Sequence, residues 1–333
     1  VAHARQWRLM GQASALAIPG WYWAALLGPA FSPLPPSADL GWLAWPLALC
    51  CGPWLLRRLQ TWLDDSVLRH LHVLGFWLMA ALLCRQAQWA TDQWASPGSG
   101  WQSLCWILVP ASLVLLVSSP RAAERWPLRD FAQSYRVAGA LPLVAGLVLW
   151  LLHSLVSSGQ ALPLPYVPVL NPLELGQCLV VLTLVMWVRE LPASIQAQLP
   201  EGRTRLAALG GLAWLVITTM VLRACHHWAD VPWDASALFE SKLTQASLSV
   251  VWALLGVGLM IRGHRQVQRA VWVAGAGLLG VVVGKLFFLE LADHAGGHEG
   301  GEHVHAQPDH APARGAGDRR EQVLVLVQAR GAE

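Results

Sequence analysis

The sequence predicts an all-α fold: a polytopic transmembrane helical bundle of about nine spans, closed by a hydrophilic, disordered C-terminal tail. Three observations predict it. Of the 333 residues, 55% are hydrophobic and 13% are charged, whereas an ordinary soluble domain carries about 25% charged residues. The apolar residues form long blocks separated by short polar stretches, the pattern of a chain solvated mostly by lipid. The arginines, finally, crowd into alternate gaps between those blocks, as they do where one set of loops stays in the cytoplasm.

A spanning helix needs about 20 largely apolar residues. Six blocks qualify directly: Ala13 to Phe31, Trp101 to Val117, Val137 to Val156, Leu206 to Leu222, Leu243 to Ile261 and Ala270 to Leu291. Two more contain prolines. Leu40 to Leu56 holds Pro46 and Pro53, and Leu170 to Val188 holds Pro172 and Glu174 near its start. Membrane helices tolerate such prolines when neighbours satisfy the freed carbonyls. The ninth block, Val73 to Cys84, is short and follows a turn with Arg69, His70 and His72. Length alone makes it interfacial. With it counted as a span, fifteen basic residues, among them Arg57, Arg58, Arg121, Arg125, Arg129, Arg136 and Arg189, share one side; Arg85, Arg223 and Lys242 share the other. Without it that asymmetry disappears. The positive-inside rule then places the start of the chain in the cytoplasm and its C-terminus outside.

The opening residues, from Val1, form neither a signal peptide nor a clean start, so the chain is expected to be a fragment with sequence upstream. After about Ala292 the composition turns to Gly, His, Pro and charge, which predicts a tail from 292 to 333 without a packed core. Many of the twenty tryptophans, including Trp89, Trp101, Trp228 and Trp233, sit at expected helix ends, where an indole is favoured at headgroup depth. The six cysteines lie in or beside apolar segments without paired spacing.

Chemistry is expected where polar groups meet apolar helices, because lipid burial costs them a few kcal/mol unless they face the bundle or water. Glu174, Arg223, His226, His227, Asp230, Lys285 and Glu290 fall at one end of the predicted helices and, with Arg85 and Asp92, make a candidate polar cavity. The alternative for Arg223, His226 and His227 is an interfacial turn. Lys285 lies inside an apolar stretch and needs a partner or a snorkelling path; Glu174 is a candidate. Gly275, Gly277, Gly280 and Gly284 predict close helix contact. In the tail, His294, His298, His303, His305 and His310, with Glu299 and Glu302, suit zinc, nickel or copper. A glycine-rich segment gives them no fixed geometry, so the alternative is a solvated tail. No cofactor is expected. Walker, GxSxG, HExxH and paired-cysteine motifs are all missing from the sequence, which disfavours the soluble enzyme classes.

Three stretches carry a family resemblance: PYVPVLNPLELGQ (Pro165 to Gln177), Leu222 to Arg265 with its ACHHW, and AVWVAGAGLLGVVVGKLFFLEL (Ala270 to Leu291). They resemble a family of bacterial multi-pass membrane proteins known as domain of unknown function 2339. The resemblance implies the C-terminal portion of a longer protein of the bacterial inner membrane. It carries no activity and no catalytic residues. Where the family pattern continues into another apolar span, this chain has the hydrophilic tail.

Three functional expectations follow. The first is a transporter or lipid- or glycan-handling envelope component. The second is a structural or assembly scaffold, and the third a membrane-embedded transferase using His226, His227 and Asp230 as acid or base. The expected partners are membrane lipids, the region upstream of the chain, and an envelope protein, glycan or lipid; nucleic acid is not expected from a formal charge of +3.

Overall fold

The protein is seen in a computed structural model that describes residue 20, residues 34–200 and residues 202–299, the last eleven as backbone only. Every regular element among the described residues is helical. The chain divides into two units, Val1–Val250 and Val251–Glu333.

In the first unit, α1 (Gly41–Leu59) precedes α2 (Asp65–Asp92) and α3 (Gly100–Val117). Short helices α4 (Pro120–Ala123) and α5 (Leu128–Gln133) lead through a π-helical turn (Ser134–Gly139) into α6 (Leu141–Val156). Then come α7 (Pro172–Arg189), α8 (Ala193–Gln196), α9 (Gly202–Ala229), α10 (Ala235–Glu240) and the start of α11 (Lys242–Arg265).

The block with the weakest sequence signal becomes a 28-residue helix. The turn before Val73 is amphipathic: Leu68, Leu71 and His72 are buried along with Phe76, so packing extends α2 back to Asp65. The carboxylate of Asp65 in the first turn complements the helix dipole. Conversely, the span expected from Val137 is not one straight helix. Ala140 N–H bonds Tyr135 O at 2.8 Å, a π-type bond, and the two segments meet at a 41° bend. Pro142 supplies the cause, since it lacks an N–H and its ring crowds the carbonyl four residues back.

Among the described residues six helices are long and apolar enough to cross a membrane: α2, α3, α7, α9, α11 and the Arg269–Phe288 part of α12 (Arg269–Glu299). Counting the bent pair as one span makes seven. The count of nine is therefore not reached here. Ala13 to Phe31 lies outside the described residues apart from Gly20. Leu40 to Leu56 forms α1 but fails the same test, its prolines, tryptophans and terminal Arg57 and Arg58 diluting the leucines.

The core of the unit is built by α3, which packs along α2 and α7, with α6 against both α3 and α7. Phe76, Ile107, Ala111, Val114, Leu147 and Val180 fill it. Gly176 lets α7 close on its neighbours: a Cβ there would stand 2.7 Å from Trp150 and 3.0 Å from Ile107. On the outside, α6 exposes Leu141, Leu149, Leu152 and Val156, the apolar surface that made the sequence look hydrophobic on all sides and that lipid covers in a membrane.

Because α2, α3, α6 and α7 alternate in direction, the bundle has two distinct ends. At one, the loop 157–171 crosses the helix termini, with Gly100 N–H bonding Gln160 O at 2.7 Å and Trp101 Nε1 bonding Ala161 O at 3.1 Å. At the other end Arg136 bonds Val117 O at 2.9 Å and pairs with Glu190 at 3.2 Å, while Arg57 lies over the Trp126 ring at 5.7 Å. The arginines of the 57–69, 118–136 and 189 segments thus gather at this second, arginine end.

The second unit contains the rest of α11 and α12. These helices touch at glycine: a Cβ on Gly275 would lie 2.6 Å from Gly256 O, and one on Gly263 would lie 2.5 Å from Trp272 N. Gly277, Gly280 and Gly284 face open space, so of the four glycines predicted to make close contacts only Gly275 does. The backbone of α12 runs on to Glu299, past the composition change at Ala292.

Candidate functional site

Asn171 and Pro172 start α7 in the way their chemistry dictates. Asn171 accepts from Leu173 N–H at 2.8 Å as the N-cap, and proline occupies the first helical position, where no donor is needed. The Asn171 amide then donates to Gly159 O at 2.7 Å, tying loop to cap. This places Glu174 one turn into α7, buried and pointing under the loop.

Glu174 meets Arg223 of α9 there, the guanidinium 3.6 Å from Oε1. Both carboxylate oxygens are occupied: Oε1 accepts from the Tyr166 hydroxyl at 2.5 Å and Oε2 from Val169 N–H at 2.5 Å. Burial first, and the bond to Glu174 second, hold the Tyr166 hydroxyl above the usual phenol range, so it stays a donor. Arg223 is completely buried and reaches across to the end of α6, donating to Ser154 O at 2.5 Å through Nη2 and to Ser157 O at 3.0 Å through Nε. Ser154 is shared: its hydroxyl accepts from Gln177 Nε2 at 2.9 Å. Among the described residues, Arg223 Nη1 and Gln177 Oε1 are buried without a hydrogen bond. For Nη1 the nearby carboxylate supplies the compensating charge.

The ring nitrogens around this pair are spent on the loop and its surroundings. His227 Nε2 bonds Ser158 O at 2.9 Å while its ring stacks on Tyr166 at 4.7 Å. Trp228 and Trp233 donate to Tyr166 O and Val156 O at 3.1 and 3.0 Å. His226 Nδ1 bonds Val231 O at 2.7 Å. Acting as donors to carbonyls fixes the tautomers, Nε2–H in His227 and Nδ1–H in His226. Gly159 has φ +68°, and a Cβ there would stand 3.0 Å from the Arg223 side chain, so the loop turns on a residue that only glycine fits.

Of the residues predicted for the polar cavity, the structure brings together Glu174, Arg223 and His227, with His226 beside them. Asp230 sits exposed just beyond α9 with φ +53°, in the left-handed position that often ends a helix. Lys285 lies in the second unit, its ammonium 5.5 Å from the Trp252 ring centroid. Glu174 takes its cation from Arg223. Glu290, His294 and His298 have no described side chains, and His303, His305 and His310 lie outside the described residues. Among the described residues no group of three or more His, Cys, Asp or Glu side chains forms a metal site.

The profile of the family described as Predicted membrane protein (DUF2339) matches residues 1–297. The chain belongs to the DUF2339 family. The match extends well before Pro165, where likeness is hard to see by eye. No curated protein and no solved structure matches the chain. In this DUF2339 protein, sequence reasoning passed over Tyr166, Ser154 and Gln177, which complete the cluster. A tyrosine in a 13-residue stretch without charge, 157–169, was the available signal for the first. It also passed over His72 as a mere blemish on a short span, although it is buried in the bundle and bonded through Nδ1 to Tyr135 at 2.8 Å.

Proposed function

We propose that this DUF2339 protein is a non-catalytic structural component of the bacterial inner membrane, in which the Glu174–Arg223 pair locks an apolar loop across the helix ends at the membrane surface. The reading is carried by one observation: both oxygens of Glu174 and the donating ring nitrogens of His226, His227, Trp228 and Trp233 are all engaged by protein groups. A group held in this way fixes geometry, and its donors are already committed to the protein. The loop so held exposes Leu162, Leu164, Val167, Val169 and Leu170 and carries no charge from 157 to 169. Such a surface, with Trp101, Trp228 and Trp233 close by, suits the headgroup boundary. The arginine end belongs in the cytoplasm and the loop end outside, by the positive-inside rule.

The experiment separates this role from a membrane transferase. Exchanging His226 and His227 together for glutamine keeps a donor for each carbonyl but removes any titrating imidazole. Normal protein level and a normal host envelope phenotype are expected. Loss of the phenotype at a normal protein level would refute the structural reading in favour of acid–base chemistry.

A further inference from the structure

His226 and His227 stand side by side in the last turn of α9, and both are half-buried. Each spends one ring nitrogen on holding the loop end together. His227 Nε2 holds Ser158 O of the loop, and His226 Nδ1 holds Val231 O, in the segment that carries Trp233 to its bond with Val156 O. The two ring centroids lie 4.6 Å apart. Arg223, completely buried, stands one turn earlier on the same helix, where residues three and four apart are neighbours. An unperturbed imidazole titrates near pH 6.5, so this pair is the part of the lock that can change charge in mild acid.

The elements packed around the pair set the charges it meets. From α9 comes the Arg223 cation; from α7 comes Glu174, 3.6 Å from that guanidinium and already balancing it one for one. The loop brings the Tyr166 ring, stacked on His227 at 4.7 Å, and no charge between 157 and 169. Beyond the helix lie Asp230, which is exposed, and Trp233, its ring 5.7 Å from His226; Asp234 follows, its carboxylate accepting from Ser236 and Ala237. Water screens an exposed carboxylate such as Asp230. The π face of Tyr166 favours one imidazolium, not two. A first proton therefore sets a new cation beside Arg223, and a second sets two cations in adjoining rings. The ring donors survive protonation, so what acid adds is repulsion.

We infer that the His226–His227 pair makes the lock acid-sensitive: neutral, the two rings hold the loop across the helix ends, and charged, their repulsion from each other and from Arg223 frees it. The inference rests on the structural reading of the Glu174–Arg223 lock and supplies its regulation. The hold is complete above the ordinary histidine range and is lost as pH falls below it.

The test is hydrogen exchange of the full chain in mild detergent, read by mass spectrometry at about pH 8 and about pH 5, on either side of the histidine range. Each peptide is taken relative to its intrinsic exchange rate at that pH. In acid, wild type is expected to lose about tenfold of the protection over 157–171, where the Leu164 and Val169 amides are bonded, while α3 keeps its own. His226→Asn combined with His227→Gln puts an amide N–H where each ring donor stands. This double variant is expected to match wild type at the higher pH and to keep its loop protection in acid. Unchanged wild-type protection in acid would overturn the inference. So would an equal acid loss in the double variant, which would assign the titration to Glu174. Glu174→Gln at the higher pH reports on the lock alone: loop protection lost there, with no acid response in wild type, would leave the lock standing and remove the switch.

Discussion

Glu174→Gln tests the lock with the smallest change in shape. The amide still fills the space under the loop, but it cannot neutralise Arg223, which is completely buried. It also presents N–H to a site where Tyr166 and Val169 both donate. Removing one partner of a buried pair costs about 3–5 kcal/mol, because the remaining charge is left without compensation. Arg223 keeps its bonds to Ser154 O and Ser157 O, which favours the lower figure, near 3 kcal/mol. For a domain of this size a kcal/mol moves the melting temperature by about 2–4 °C, so a fall of about 6–12 °C is expected. Thermal unfolding of the detergent-purified protein, followed by tryptophan fluorescence, reads it directly, because Trp228 and Trp233 are bonded to the loop region. The double variant Glu174→Gln with Arg223→Met removes both charges. It is expected to recover about 2 kcal/mol relative to the sum of the single losses, a coupling of the size seen between residues in contact. A wild-type melting temperature for Glu174→Gln, or strictly additive losses, would refute the lock.

Gly159→Ala forces a side chain into a left-handed conformation and against Arg223; about 1–2 kcal/mol of destabilisation is expected from thermal unfolding. Gly275→Val should open the α11–α12 contact, seen as faster proteolysis of the second unit, while Gly277→Val, facing open space, should not. Asp234 caps α10, and hydrogen bonds, first from the Ser236 hydroxyl and then from the Ala237 and Ser236 amides, hold its carboxyl below the usual range. Its contribution is therefore complete above the ordinary carboxylate pKa of about 4 and fades as pH falls through the depressed value; the protection of the Ser236 and Ala237 amides, taken relative to their intrinsic exchange rate at each pH, should fall only in acid, and Asp234→Ala should remove that pH dependence. A topology reporter fused after Arg136 should read cytoplasmic and one after Ala161 external, the reverse result overturning the orientation.

The membrane bundle was legible because lipid-facing helices need apolar residues on every side, and no neighbouring element has to be known for that pattern to show. The same property hid the internal contacts. Along α6, Leu149 faces outward and Leu147 is buried, yet nothing in the leucines distinguishes them. Polar residues were the informative ones. Glu174 and Arg223 could be singled out because lipid does not tolerate them, and the structure joins them. Their completion by Tyr166, Ser154 and Ser157 depends on how a loop folds back over helix ends, which no periodicity encodes. The bend before α6 had its signal in Pro142, and α2 outgrew its apolar block because Leu68 and Leu71 found a core that a hydropathy window does not see.

At both ends of the first unit, side-chain donors are spent on backbone carbonyls. At the loop end the tryptophan and histidine donors point at backbone carbonyls, and a buried cation lies against a buried anion, while Arg223 Nη1 and Gln177 Oε1 are left without a hydrogen bond among the described residues. At the arginine end Arg136 and Trp187 are likewise engaged, Trp187 donating to Arg136 O at 2.7 Å, while His72 Nε2 and Trp126 Nε1 are buried without a hydrogen bond among the described residues. Each such buried atom costs as much at one end as at the other in a low-dielectric interior, so both ends carry a polar penalty that the apolar packing between them has to offset.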